Sequence, residues 1–186
     1  ATMKLPIARS DASMLNLRGL RVAFVNMPIR EVAQPNNLPL GPALLAARLE
    51  RAGADVTIID LNGYRPVLTE ALARVLIASA GERDLYALSG LITTLAWQER
   101  AARIIRDIAP RASIVAGGGL STHFRSAMFK WIPELDAVCH SEGDDVILRI
   151  ADDVKRGTME RGTVYDGYRS QDLDAFLDIV PSDELR

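Results

Sequence analysis

The chain has 186 residues, 48% of them hydrophobic and 25% charged, with a formal net charge of -2 and a pI near 5.7. This is the composition of a globular protein with one sizeable core, and its scattered Lys and Arg residues leave no basic footprint for nucleic acid. No apolar run approaches the roughly 20 residues of a membrane span and no secretory signal pattern opens the chain, so the expectation is a cytoplasmic protein without membrane partners; Cys139, the single cysteine, excludes an internal disulfide or a cysteine-ligated iron–sulfur cluster within this chain.

Residues 1–19 carry Pro6 and no sustained period and read as an amino-terminal tail or packed arm. An apolar run over residues 22–27 predicts a first buried strand, ended by Pro28. The polar, proline-bounded stretch 28–39 is longer than a usual strand-to-helix connection, a length that marks functional loops. Residues 40–52 repeat apolar side chains at helical spacing (Leu44, Leu45, Ala47, Leu49) and end at Gly53. A second strand follows at 56–60, with Asp60 read as a surface residue at its end. Asn62, Gly63 and Pro66 turn the chain into a helix over 67–79, and 84–90 is a third strand ending in small residues.

The spacing of Trp97, Ala101, Ile104, Ile105 and Ile108 predicts a helix over 96–109. The fourth strand, Ile114, Val115 and Ala116, runs directly into Gly117, Gly118 and Gly119, where the backbone can adopt positive φ and approach another group closely. That group is a ligand or another stretch of backbone. Three glycines followed by Ser121 and Thr122 favour the ligand. A short helix is expected at 124–132, a fifth strand at 136–140 and an amphipathic helix at 143–156; Trp97 and Trp131, spaced among aliphatics, are expected in the core.

Strands alternating with helices predict a Rossmann-like, flavodoxin-like five-stranded parallel sheet with helices on both faces. Ligands of such sheets lie outside the carboxyl ends of the strands, near the point where strand order reverses. The loops 28–39, 89–94, 117–122 and 141–144 are therefore the candidate site. No GxGxxG follows the first strand, no P-loop is present, and Asn26 and Ser89 stand where a phosphoacceptor domain needs acidic residues.

Ser89-Gly90-Leu91 after the third strand and Gly117-Gly118-Gly119 after the fourth resemble the SxL and GG motifs of cobalamin-binding domains. The turn Ser141-Glu142-Gly143-Asp144 resembles the GEGE-like turn of the cobalamin-binding amino-terminal domains of cobalamin-dependent radical SAM enzymes. The resemblance spans residues 20–156 and implies that Ser89, Gly90, Leu91 and Gly117, Gly118 and Gly119 floor a slot for the nucleotide tail. It also implies that Thr93 and Thr122 offer hydroxyls to the tail, with Glu142 and Gly143 in the turn beside it, and that the 28–39 loop faces the corrin. Members that bind cobalt through histidine carry DxHxxG after the first strand; residues 26–31 have neither its aspartate nor its histidine, so no metal ligand is expected from that loop, and His123 and His140 read as structural.

By the same resemblance, residues 20–157 form a cobalamin-binding domain and residues 158–186 begin a linker towards a catalytic domain. The cofactor implied is cobalamin, the partner a radical SAM domain in this or another chain, with an iron–sulfur cluster and S-adenosylmethionine only in that domain. This chain alone would hold no catalytic residue. A stand-alone cobalamin carrier or sensor, or a nucleotide-sugar-binding domain of a glycosyltransferase, are the alternative readings.

Overall fold

Runs of Val, Ile, Ala and Phe too short for helices become strands wherever both faces can be covered. In the computed structural model, which describes residues 15–29, 39–144 and 146–167, these are β1 (Arg21–Asn26), β2 (Asp55–Asp60), β3 (Leu85–Ser89), β4 (Ser113–Gly117), β5 (Ala137–His140) and β6 (Thr163–Asp166). All pair in parallel in the order β2-β1-β3-β4-β5-β6. The Rossmann-like class holds, but the sheet has six strands rather than five. The added strand lies beyond Gly157, in the stretch the sequence assigns to a linker. Four residues are too few for a periodic signal, and β6 exists only through its long-range pairing with β5, from Ala137↔Thr163 to His140↔Asp166.

Among the described residues six helices cover the sheet: α1 (Leu40–Arg51), α2 (Glu70–Ser79), α3 (Leu95–Ile108), α4 (Gly119–Phe124), α5 (Met128–Trp131) and α6 (Val146–Arg156). Alternate strand residues point to opposite faces. Phe24, Ala87, Val115, Ala137 and Cys139 pack with Ala46 and Leu49 of α1 and Ile147 and Ile150 of α6. Val25, Leu88, Ala116 and Val138 pack on the other face with Ala73 and Ile77 of α2, Ala101 and Ile105 of α3, and Met128 of α5. Leu17 and Leu20 close the first core, and the Leu17 amide donates to the Ala52 carbonyl at 2.7 Å.

Three local expectations change. α1 buries Pro42, Ala46 and Leu49 rather than Leu44, which is 65% exposed, because small residues let the helix axis approach the sheet. The helix expected at 124–132 begins at Gly119, immediately after the glycines, and is broken by a 3-10 turn over Arg125–Ala127. Trp97 is buried, but Trp131 lies on the surface with its ring edge-on to Phe124 at 4.6 Å.

Ion pairs fasten the amino edge of the sheet. Arg21 donates from Nε and Nη2 to the two oxygens of Asp84, at 3.1 and 2.8 Å, and these bonds hold the Asp84 carboxyl below its usual range. Arg106 gives its guanidinium to the carbonyls of Pro110, Ala112 and Glu134 and to Asp136. The carboxyl edge is built differently.

Candidate functional site at the carboxyl edge

Strand order reverses between β1 and β3, so the crevice of this fold opens between Asn26 and Ser89. The register places Asp60, Asn26, Ser89 and Gly117 in one transverse row, and extending the β4–β5 register by one residue adds Cys139. Asn26, Ser89 and Gly117 each lie two residues beyond a side chain packed under α1 and α6, so the row faces those helices. A Cβ built on Gly117 would sit 3.7 Å from Cys139 Cβ, an ordinary contact. The row is a floor of small groups where a sheet of this kind usually carries branched side chains.

Gly90 and Gly118 have a different reason to be glycine. A Cβ on Gly90 would collide with Thr94 Oγ1 and come within 2.5 Å of Gln98 Nε2. Thr94 Oγ1 donates to the Leu91 carbonyl at 2.8 Å and accepts from Gln98 Nε2 at 3.2 Å, a relay that holds the loop after β3 from below. Gly118, with φ 84° and ψ -169°, occupies a region that is essentially glycine's alone, and a Cβ there would lie 3.0 Å from the Gly90 carbonyl oxygen. Both positions are needed for two loops to pack against each other, with or without a ligand. Gly119 starts α4, and a Cβ on it would meet only Leu91 Cδ2, at 3.5 Å.

The remaining site residues lie around this floor. Leu91 is 50% and Ile92 59% exposed, with Thr93 exposed beside them. Leu40 and Leu44 are exposed on α1, so apolar side chains rim the carboxyl edge after β1 and β3. Thr122 Oγ1 accepts from the Ser141 amide at 3.1 Å, which joins the loops after β4 and β5 and leaves its hydroxyl proton and one lone pair to offer. Glu142 is exposed. Gly143 backs onto Leu45 of α1, where a Cβ would be 3.3 Å from Cδ1, and Asp144 pairs with Arg48 at 3.3 Å. The 28–39 loop lies outside the described residues from 30 to 38. Its root is held by Asn62, whose Oδ1 accepts from the Ile29 amide at 3.0 Å.

Asp60 is more than a surface residue at a strand end. Its Oδ1 accepts from Asn26 Nδ2 at 2.8 Å and from the Asn62 amide at 3.1 Å. Thr94 closes the 89–94 loop already named from the sequence, whereas sequence reasoning does not assign Gln98 and Asn26 to the candidate site; Thr94 and Gln98 stand one helical turn apart at the start of α3, the signal that could have paired them. His123 is exposed with its ring edge-on to Phe124 at 4.6 Å, and His140 is 3% exposed with Nδ1 3.1 Å from Asp166 Oδ1. Burial pushes the Cys139 thiol up to about 11, with the carboxylates of Glu142 and Asp166 adding to the shift. At neutral pH it is an unreactive part of the floor. Among the described residues no group of three or more His, Cys, Asp or Glu could hold a metal, and no helix is long and apolar enough to cross a membrane.

No curated protein sequence matches the chain. Among solved structures it is similar to a crystal structure of an NADH-dependent reductase, A1-R', complexed with NAD, at 10% identity over 81% of this chain and 95% of that one. The TM-score is 0.46, too distant a likeness to bear on the ligand. A family model for the B12 binding domain matches residues 13–151, which include every strand from β1 to β5 and all four loops at the carboxyl edge. The chain belongs to the B12-binding domain family.

Proposed function

We propose that this B12-binding domain holds cobalamin with the nucleotide tail between the sheet and α1, gives the cobalt no histidine, and serves a radical SAM enzyme. The observation that carries the reading is the row of small residues at the strand-order reversal. Asn26, Ser89, Gly117 and Cys139 leave low relief under α1, at the strand ends, one row beyond the row that carries Phe24 and Val115. A flat aromatic base fits such a floor. Exposed Leu91, Ile92, Leu40 and Leu44 at the rim match the methylated edge of a corrin, which is itself largely apolar.

Bound cobalamin supplies the cobalt chemistry, group transfer or radical generation, and the chain's residues bind and orient it. Ser89 offers a hydroxyl at the floor and Thr122 one at the wall, while Gly117 and Gly119 keep the approach clear. On this reading neither histidine goes to the metal: His123 lies beside Phe124 in the helix after the glycines, and His140 is buried against Asp166. The missing DxHxxG and the Ser141–Asp144 turn support service to a radical SAM partner, in this polypeptide or another.

Titration with hydroxocobalamin, followed by visible absorption, tests the reading. The bound spectrum is expected to be that of cobalamin without an axial nitrogen, and to be unchanged in His123→Ala and His140→Ala. A nitrogen-ligated spectrum lost in either variant with the fold intact would overturn the proposal for the cobalt. The partnership is tested by the coding sequence beyond Arg186 and its neighbours: a CxxxCxxC motif supports it, and its absence from both leaves a carrier or sensor.

A further inference from the structure

Two polar atoms at the strand-order reversal have no partner among the described residues. One is Ser89 Oγ; the other is Asn26 Oδ1. They stand on adjacent strands in register, about 4.8 Å apart at the backbone, on the face that looks towards α1.

The orientation of the Asn26 amide is determined by its neighbour. An ionised carboxylate only accepts, so the atom of Asn26 that meets Asp60 Oδ1 at 2.8 Å must be Nδ2, the donor. Asp60 is itself held in place by the Asn62 amide at 3.1 Å. The carbonyl oxygen of Asn26 is therefore not the atom that faces Asp60, and it is left for whatever lies along the row that Asn26 shares with Ser89 and Gly117. Asn26 is half-buried, so water can reach this oxygen in the free protein. A tail laid along the row displaces that water.

What replaces the water decides affinity. A base with an N–H or O–H donor restores the hydrogen bond, whereas one carrying only methyl groups there leaves a desolvated acceptor unpaired. We infer that Asn26, oriented by Asp60, is a further specificity-determining residue of the slot, and that it favours cobamides whose lower base carries a donor over the dimethylbenzimidazole of cobalamin. The inference rests on the cobalamin-type reading of the site and narrows it to a ligand subclass. Ser89, which can donate or accept, tolerates either base; Asn26 does not.

The test compares the dissociation constants of hydroxocobalamin, the adenine-based cobamide and the 5-hydroxybenzimidazole cobamide, with cobinamide, which lacks the tail, as reference. For the unmodified chain the two donor-bearing cobamides are expected to bind about tenfold more tightly than hydroxocobalamin, the effect of one hydrogen bond to a buried acceptor. Asn26→Ala should bring all three within about twofold of one another and leave cobinamide affinity unchanged. Equal affinities in the unmodified chain overturn the inference without any variant, and so does a preference that survives Asn26→Ala. Should none of the cobamides bind, the reading of the site falls together with the inference; binding without discrimination removes the inference alone.

Discussion

The two faces of the sheet treat the same glycine-rich edge in opposite ways. Just past the ends of β3 and β4, Gly90 and Gly118 are glycines because other atoms already occupy the space a side chain would need: Thr94 and Gln98 at Gly90, and the Gly90 backbone, with Ser89 Oγ at 3.7 Å, at Gly118. Under α1 and α6, Gly117 is a glycine with Cys139 Cβ as its neighbour, at 3.7 Å, and Ser89 and Asn26 beside it keep polar atoms with no partner among the described residues. Glycines adjacent in sequence thus perform different work, one set packing loops and the other leaving room. The difference teaches that a GG motif is not one feature.

The sharpest way to break the comparison is to substitute the packed glycines. Gly118→Val introduces a branched side chain at φ 84° and 3.0 Å from a carbonyl oxygen, combining backbone strain with overpacking at on the order of 3 kcal/mol. The ligand-free melting temperature should fall by roughly 6–12 °C, and Gly90→Ala should fall similarly. A Gly118→Val protein that melts like the unmodified chain but binds cobalamin poorly would move Gly118 from the packed set to the slot.

A smaller effect is expected at Gly117, and of the opposite kind. Its Cβ would make an ordinary contact, so Gly117→Ala should leave the melting temperature within about 2 °C, a change of roughly 0.5 kcal/mol. The added methyl occupies floor that the tail must cover, and cobalamin affinity should drop about tenfold. Unchanged affinity would show that the tail does not reach the α1 face at this row.

The smallest expected effect is at Cys139, opposite Gly117. Its folded pKa lies near 11 against an ordinary 9.0, so the unfolded chain releases the thiol proton first as pH rises. The sign follows: this residue's contribution to stability is complete below about pH 9 and is lost progressively towards pH 11. The stability difference between the unmodified chain and Cys139→Ala should shrink across that window and be flat between pH 6 and 8. Alkylation of the folded protein at neutral pH should be slow and slower still with cobalamin bound; equal rates with and without it would separate Cys139 from the covered floor.

Much of this was legible in the chain of residues. Five apolar runs with interposed amphipathic repeats dictate a covered parallel sheet, because only that arrangement buries strands on both faces while short connections hold the helices. The glycines after β4 and the missing DxHxxG are equally local facts, as is the lone cysteine. Periodicity could not choose the contact stripe of α1, since Leu44 and Leu45 are both apolar and only the approach of Ala46 to the sheet selects one side. Nor could it find β6, whose pairing partner lies more than twenty residues away.

What the residues determined alone is the set of small and apolar groups delivered to the carboxyl edge, because strand ends follow from where each hydrophobic run stops. Tertiary structure decided how those groups are shared out. The register of β1 on β2 and β3 aligns Asn26 with Asp60 on one side and Ser89 on the other, across 34 residues of chain for the first pair, and no local pattern encodes such an alignment. It is settled by which faces α1 and α3 cover, since a slip of one residue in any strand would carry its buried side chains to the opposite face.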